Sequence, residues 1–113
     1  MDAWEHPRPP AGSITIEREG PDRDVLCLRG EVDTAVATSF TAARKRERVV
    51  VDAIDAGGVT FMSSSALALM LMCVEASVAA GRHPVLRAAS PQVDRALRLA
   101  GIESLFTRPE SSG

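Results

Sequence analysis

The residues best placed to do chemistry are three consecutive hydroxyls, Ser63-Ser64-Ser65, directly before an apolar run that Gly81 closes. They open a helix, and its end signal is the glycine. Hydroxyls at a helix start can accept hydrogen bonds from backbone N–H groups that have no partner within the helix. The same end carries partial positive charge and accommodates a phosphate. A phosphate there adds about −1.5 to −2 charges, enough to change affinity for a partner without unfolding a domain. From the helix pattern alone, two roles stand open for the serines: caps only, or a modified switch.

Other sets of reactive side chains are thin. Asp33, Asp52 and Asp55 stand near strand ends. Asp33 or Thr34 can cap a helix, and the other two end a strand and enter a loop, so no metal site is assigned. His6 and His83 are the two histidines, and no Ser-His-Asp set or lysine-bearing phosphate loop can be assembled. Cys27 and Cys73 lie inside apolar runs with no CxxC spacing, which reads as two buried, inert thiols, with a redox switch between them as the alternative. No cofactor is called for, and the chain is not expected to be an enzyme.

The elements that must position the serines follow from the pattern along the chain. Its 113 residues suit one domain. Apolar residues make up 45% and charged residues 25%, an ordinary globular balance, and the formal net charge of −2 supports no nucleic-acid footprint. The basic run Arg44-Lys45-Arg46-Glu47-Arg48 reads as the solvated end of a helix. No signal peptide is evident. The apolar run from Ser64 to Ala80 is short for a membrane span and carries Glu75, so no membrane contact is expected and the location is read as cytoplasmic.

Residues 1–12, rich in proline, read as a flexible lead-in, residues 13–107 as the domain and 108–113 as a flexible tail. Ile14 and Ile16 alternate in a first strand, and Val25-Leu26-Cys27-Leu28 is a second, covered on both faces. A helix runs through Ala35, Val36, Phe40 and Ala43. Val49-Val50-Val51 reads as a central strand, Ala56-Gly57-Gly58 as a flexible link, and Val59, Phe61 and Met62 as apolar anchors. After the serine-headed helix come a strand from Val85 to Ala88, a helix opened by Ser90-Pro91 and stopped by Gly101, and a short last strand at Leu105-Phe106. The order β-β-α-β-α-β-α-β gives an α/β domain. Its sheet is mostly parallel with an antiparallel opening hairpin, and the helices lie mainly on one face.

This order and four motifs resemble the STAS domain of bacterial anti-sigma factor antagonists. Gly30-Glu31-Val32-Asp33 is similar to the family's Gly-Glu-Leu-Asp, and Val49-Val50-Val51-Asp52 to its third strand. Val59 to Leu67 is similar to Val-x-Phe-Ile/Met-Asp-Ser-Ser-Gly-Leu. Ser90-Pro91 with Ala100-Gly101-Ile102 is similar to the family's last helix and the step after it. The match covers roughly Ser13 to Phe106.

The resemblance implies a protein that binds an anti-sigma factor of kinase-like fold and so frees a sigma factor, a role in transcription regulation and stress response. It places phosphorylation at Ser64, with Ser63 and Ser65 as alternatives, and puts Asp33 near the serine. It also admits a second job, as a STAS subunit of a lipid-transporting ABC system, where the helix docks on an ATPase. Two positions depart from the family: Ser63 stands where the motif has aspartate, and Ala66 where it has glycine.

At 100° per residue, Leu67, Met70, Leu71, Val74 and Val78 share the helix face expected to pack on the sheet, and Leu69, Met72 and Ala76 fall nearly opposite. An apolar outer face beside the serines suggests a docking surface, with Asp33, Ser63, Ser65, Leu69 and Met72 as partner-binding residues. The competing reading is that a loop, or the segment bearing Trp4, covers that face.

Overall fold

The computed structural model describes residues 12–45 and 47–109. Four strands and three helices alternate: β1 (Ser13–Glu19), β2 (Arg23–Val32), α1 (Thr34–Ala43), β3 (Ala53–Met62), α2 (Ser64–Ala79), β4 (Val85–Ala89) and α3 (Pro91–Ala100), followed by a 3₁₀ turn at Glu103–Leu105. The sheet order is β1-β2-β3-β4, with β1–β2 antiparallel and both other pairings parallel. Most of the lead-in (residues 1–11) and the end of the tail (110–113) lie outside the described residues, as does Arg46 of the basic run.

Alternation sets the two faces of the sheet. Ile14, Ile16, Leu26, Leu28, Ile54 and Leu86 point into one core, where all three helices meet them through Phe40, Met70, Val93 and Leu97. Each such side chain contributes about 1.5–3 kcal/mol on leaving water. Among the described residues the other face carries no helix. There Val25, Cys27 and Ala53 form a small separate cluster. Glu17 pairs with Arg29 at 2.9 Å and Glu19 with Arg87 at 2.6 Å, from positions on that same face. The long arginine stems shield apolar surface while their charges stay wet. The second strand is thus covered on both faces, by helices on one and by ion-paired side chains on the other.

Four local expectations are corrected. Val49-Val50-Val51 is not a strand: Val49 and Val51 are buried, but β3 begins only at Ala53. The Val51 N–H is bonded to the Ser77 hydroxyl at 2.9 Å, and the ladder starts one residue later with Asp52 N–H on the Asp24 carbonyl. Second, Ala56-Gly57-Gly58 is no link but part of β3, where the register slips between Cys27↔Asp55 and Arg29↔Gly58. A β-bulge needs an extra residue, and glycine accommodates it most readily.

Third, Phe61 is half exposed and anchors nothing, although Val59 is buried. A second slip, from Gly30↔Val59 to Glu31↔Phe61, inserts Thr60 and breaks the alternation, so Phe61 turns outward and Met62 back in. Finally, Leu105-Phe106 is not a strand. Leu105 closes the 3₁₀ turn, Phe106 enters the core, and Thr107 alone bridges Val85.

Candidate functional site

Two helix starts lie side by side, because parallel strands deliver their helices to the same sheet edge. β2 ends at Val32 and β3 at Met62, in register with each other. Asp33 caps α1, its carboxylate accepting the Val36 N–H at 2.9 Å. Ser63 caps α2, its hydroxyl accepting the Ala66 N–H at 3.1 Å, and the Ser63 N–H reaches back to the Val32 carbonyl at 3.0 Å. The Thr34 hydroxyl, one residue into α1, donates to the Ser65 hydroxyl at 3.4 Å and ties the two starts together.

The three serines therefore differ. Ser63 holds a cap and Ser65 a bond to Thr34, while the exposed Ser64 hydroxyl has no partner among the described residues. Ala66 is fully buried, which accounts for a small residue at that position. Asp33, Ser63, Ser64 and Ser65 thus gather at one end of the domain. Thr34 joins them, and Phe61 is exposed two residues before the cap. The sequence marked Thr34 only as an alternative cap, and the bulge that exposes Phe61 leaves no signal in it.

Leu69 and Met72 are not at that end. They lie along α2, in a groove between α1 and α2 of about 690 Å³ that begins at Ser65 and continues past Phe40 to Arg44 and Arg48. Met72 is 64% exposed. The buried line of α2 is Ala66, Met70, Cys73 and Ser77, with Leu67, Leu71 and Val74 packed at its border. Val78, expected on the sheet-facing side, is exposed instead. The helix is rotated so that its smaller residues face the sheet. Ser77 fits there because its hydroxyl donates to the Cys73 carbonyl at 2.6 Å while accepting from Val51. At the far end of the groove the Arg44 guanidinium lies 5.9 Å over the Phe40 ring, its buried Nε without a partner among the described residues.

Asp52 and Asp55 serve the scaffold. Asp52 accepts the Asp24 N–H at 2.9 Å and Arg82 at 2.7 Å, and the two bonds hold its carboxyl below its ordinary range. Asp55 accepts from the Gly57 N–H and faces Arg87, away from Asp33 at its own cap. Burial pushes the Cys73 thiol up to about 11, and Cys27 is also raised, chiefly by burial. The thiols belong to different apolar clusters. Among the described residues no group of acidic, histidine or cysteine side chains could hold a metal ion, and no helix is long and apolar enough to cross a membrane.

Comparison with known proteins places this geometry. The fold is similar to that of the anti-sigma factor antagonist SpoIIAA in its unphosphorylated form, with a TM-score of 0.65, 20% identity, and coverage of 88% of this chain and 90% of that one. It is similar also to the Bacillus cell fate determinant SpoIIAA in the phosphorylated form, with a TM-score of 0.57, 19% identity, and coverage of 88% and 93%. At such identities the likeness is one of fold. No curated protein matches the chain. The family model described as Mlab, STAS domain, matches residues 16–107, most of the chain, and the protein belongs to that STAS family.

Proposed function

We propose that this protein is an anti-sigma factor antagonist, a non-enzymatic binding module whose affinity for a kinase-like anti-sigma factor is set by phosphorylation at Ser64. The observation that carries this reading is the division of labour among the serines. The fold needs one hydroxyl as a cap and engages a second, yet presents a third, Ser64, exposed on a helix N-terminus. A phosphate on Ser64 would sit at the positive end of α2, whose start the Thr34–Ser65 bond ties to the start of α1 that Asp33 caps. It would alter a partner's contact surface without disturbing either cap. Ser63 replaces the family's aspartate but keeps the capping bond, so the local backbone does not depend on a carboxylate there. The base that deprotonates a substrate serine belongs to the kinase. The likeness to both forms of SpoIIAA supports this use of the fold.

A second reading, a STAS subunit docked on the ATPase of a lipid-transporting ABC system, draws support from the apolar outer face of α2, which requires no phosphate to work.

The test is capture from native cell extract by wild type, Ser64→Ala and Ser64→Glu, with captured proteins identified by mass spectrometry. The proposal expects a kinase-like anti-sigma factor with wild type and Ser64→Ala, and loss of it with Ser64→Glu. Equal capture by all three removes Ser64 as the control. An ATPase in its place moves the protein to the second reading.

A further inference from the structure

Of the three phenylalanines, Phe40 and Phe106 pack in the main core. Phe61 belongs to neither apolar cluster among the described residues and is 51% exposed. Plain alternation along β3 would do the reverse. Val59 points into the core, so Phe61, two residues on, should follow it and Met62 should face solvent. The slip that inserts Thr60 between the pairs Gly30↔Val59 and Glu31↔Phe61 turns Phe61 out and brings Met62 in. A bulge leaves a residue of the ladder unpaired, and bulges beside functional sites serve to re-aim a side chain. Folding gains little from this one, since it leaves an aromatic ring in water.

The re-aimed ring stands at the serine end of the domain. Phe61 is paired with Glu31, which lies two residues before the Asp33 cap of α1. Phe61 itself lies two residues before the Ser63 cap of α2 and three before the exposed Ser64. Phenylalanine offers a large apolar area that loses little rotamer freedom when a partner encloses it. In protein interfaces a few such anchors, seated in pockets that exclude water, carry most of the binding energy.

We propose that Phe61 is the hydrophobic anchor of the partner interface, seated in an apolar pocket of the anti-sigma factor beside the Ser64 contact. The bulge at Thr60 exists to present it. This role for Phe61 rests on the antagonist function proposed above.

The test is capture from native cell extract over a range of immobilised-protein concentrations, with wild type, Phe61→Ala and Thr60→Ala. The kinase-like anti-sigma factor is identified and quantified by mass spectrometry, and urea unfolding is measured on the same three proteins. Phe61→Ala is expected to raise the concentration for half-capture about 30-fold or more, the effect of truncating a hot spot. Its urea midpoint should stay at the wild-type value. Thr60→Ala, which truncates the exposed neighbour, should leave both measurements near wild type. Half-capture by Phe61→Ala at the wild-type concentration overturns the anchor and leaves the antagonist function standing. Failure of wild type to capture any anti-sigma factor overturns both. An equal loss with Thr60→Ala overturns the anchor, because the bulge and not the ring would then set the affinity. So does a midpoint for Phe61→Ala as low as that of a core truncation, because the ring would then have a folding task.

Discussion

Helices α2 and α3 start alike and end differently in what they offer to solvent. Each is capped by a serine in extended conformation whose hydroxyl accepts the N–H three residues on. After its cap, α3 goes straight to Pro91, buries Val93 and Leu97, and carries Asp94, Arg95 and Arg98 elsewhere on its surface. It too leaves one large apolar side chain in solvent, Leu99. By contrast, α2 follows its cap with two further hydroxyls and buries a stripe of modest residues. It leaves Met72 and Val78 exposed and Leu69 half-buried above a groove. Leu99 aside, folding accounts for α3. In α2 the third hydroxyl and the outer apolar side chains have no folding task, and the function proposed above rests on that surplus.

The sharpest way to break this contrast is within α2 itself. Met70 is fully buried and Met72 largely exposed. Met70→Ala should cost about 2–5 kcal/mol in urea unfolding, and Met72→Ala no more than about 0.5 kcal/mol. The Leu69→Asp, Met72→Asp double variant should still fold and lose partner capture. Capture at wild-type level would assign the outer residues no role in binding.

Ser77 comes next. Its hydroxyl is the sole acceptor found for the buried Val51 N–H among the described residues. Ser77→Ala should cost about 1–3 kcal/mol in the same unfolding measurement, the cost of leaving a buried donor unpaired. A loss near zero would mean the 49–51 segment is not held by α2.

Acid should separate the scaffold from the site. The Asp52 carboxyl is held below its ordinary range by the Asp24 N–H and Arg82. A lowered folded-state value means stability that is present above the unfolded-state value near 3.9 and lost as pH falls through the folded-state one. Urea midpoints measured downward from pH 5 should fall for wild type. In Asp52→Asn they should start lower and fall less steeply. Parallel profiles would remove Asp52 from the acid response.

Legibility in the sequence followed the range of the interaction. Ser63, Ser90, Gly101 and Asp33 act through bonds within one helical turn; residue type placed Ser90 and Gly101 outright, and narrowed the other two caps to Asp33 or Thr34 and to the three serines. The parallel sheet followed from the alternation of elements. The misreadings in the middle of the chain sit where one residue's conformation depends on a distant element. Val51 gives its N–H to a serine 26 residues on, and two register slips put Gly57 into a strand and turn Phe61 outward. A triple valine carries strong β-propensity, yet tertiary bonding decided its state. The face of α2 was misjudged for a related reason. An apolar helix whose one charge is Glu75 has little pattern to say which side is buried, and Val78 and Ser77 exchanged the places that hydrophobicity assigns them.

The smallest expected effect addresses Ser63, one of the two positions where the chain departs from the family's motif. Aspartate caps a helix about as well as serine does, so Ser63→Asp should shift thermal unfolding by no more than an equivalent of about 0.5 kcal/mol. Ser63→Ala, which deletes the bond to Ala66 N–H, should cost about 1 kcal/mol. If stability governed the residue at position 63, the two acceptable caps would be interchangeable in every assay. If recognition by the modifying kinase governs it, Ser63→Asp should change phosphate incorporation at Ser64, measured by intact-mass spectrometry of protein isolated from its own cells, while the melting curve stays in place. A change in both would return Ser63 to the scaffold, and a change in the phosphate alone would make it a determinant of specificity.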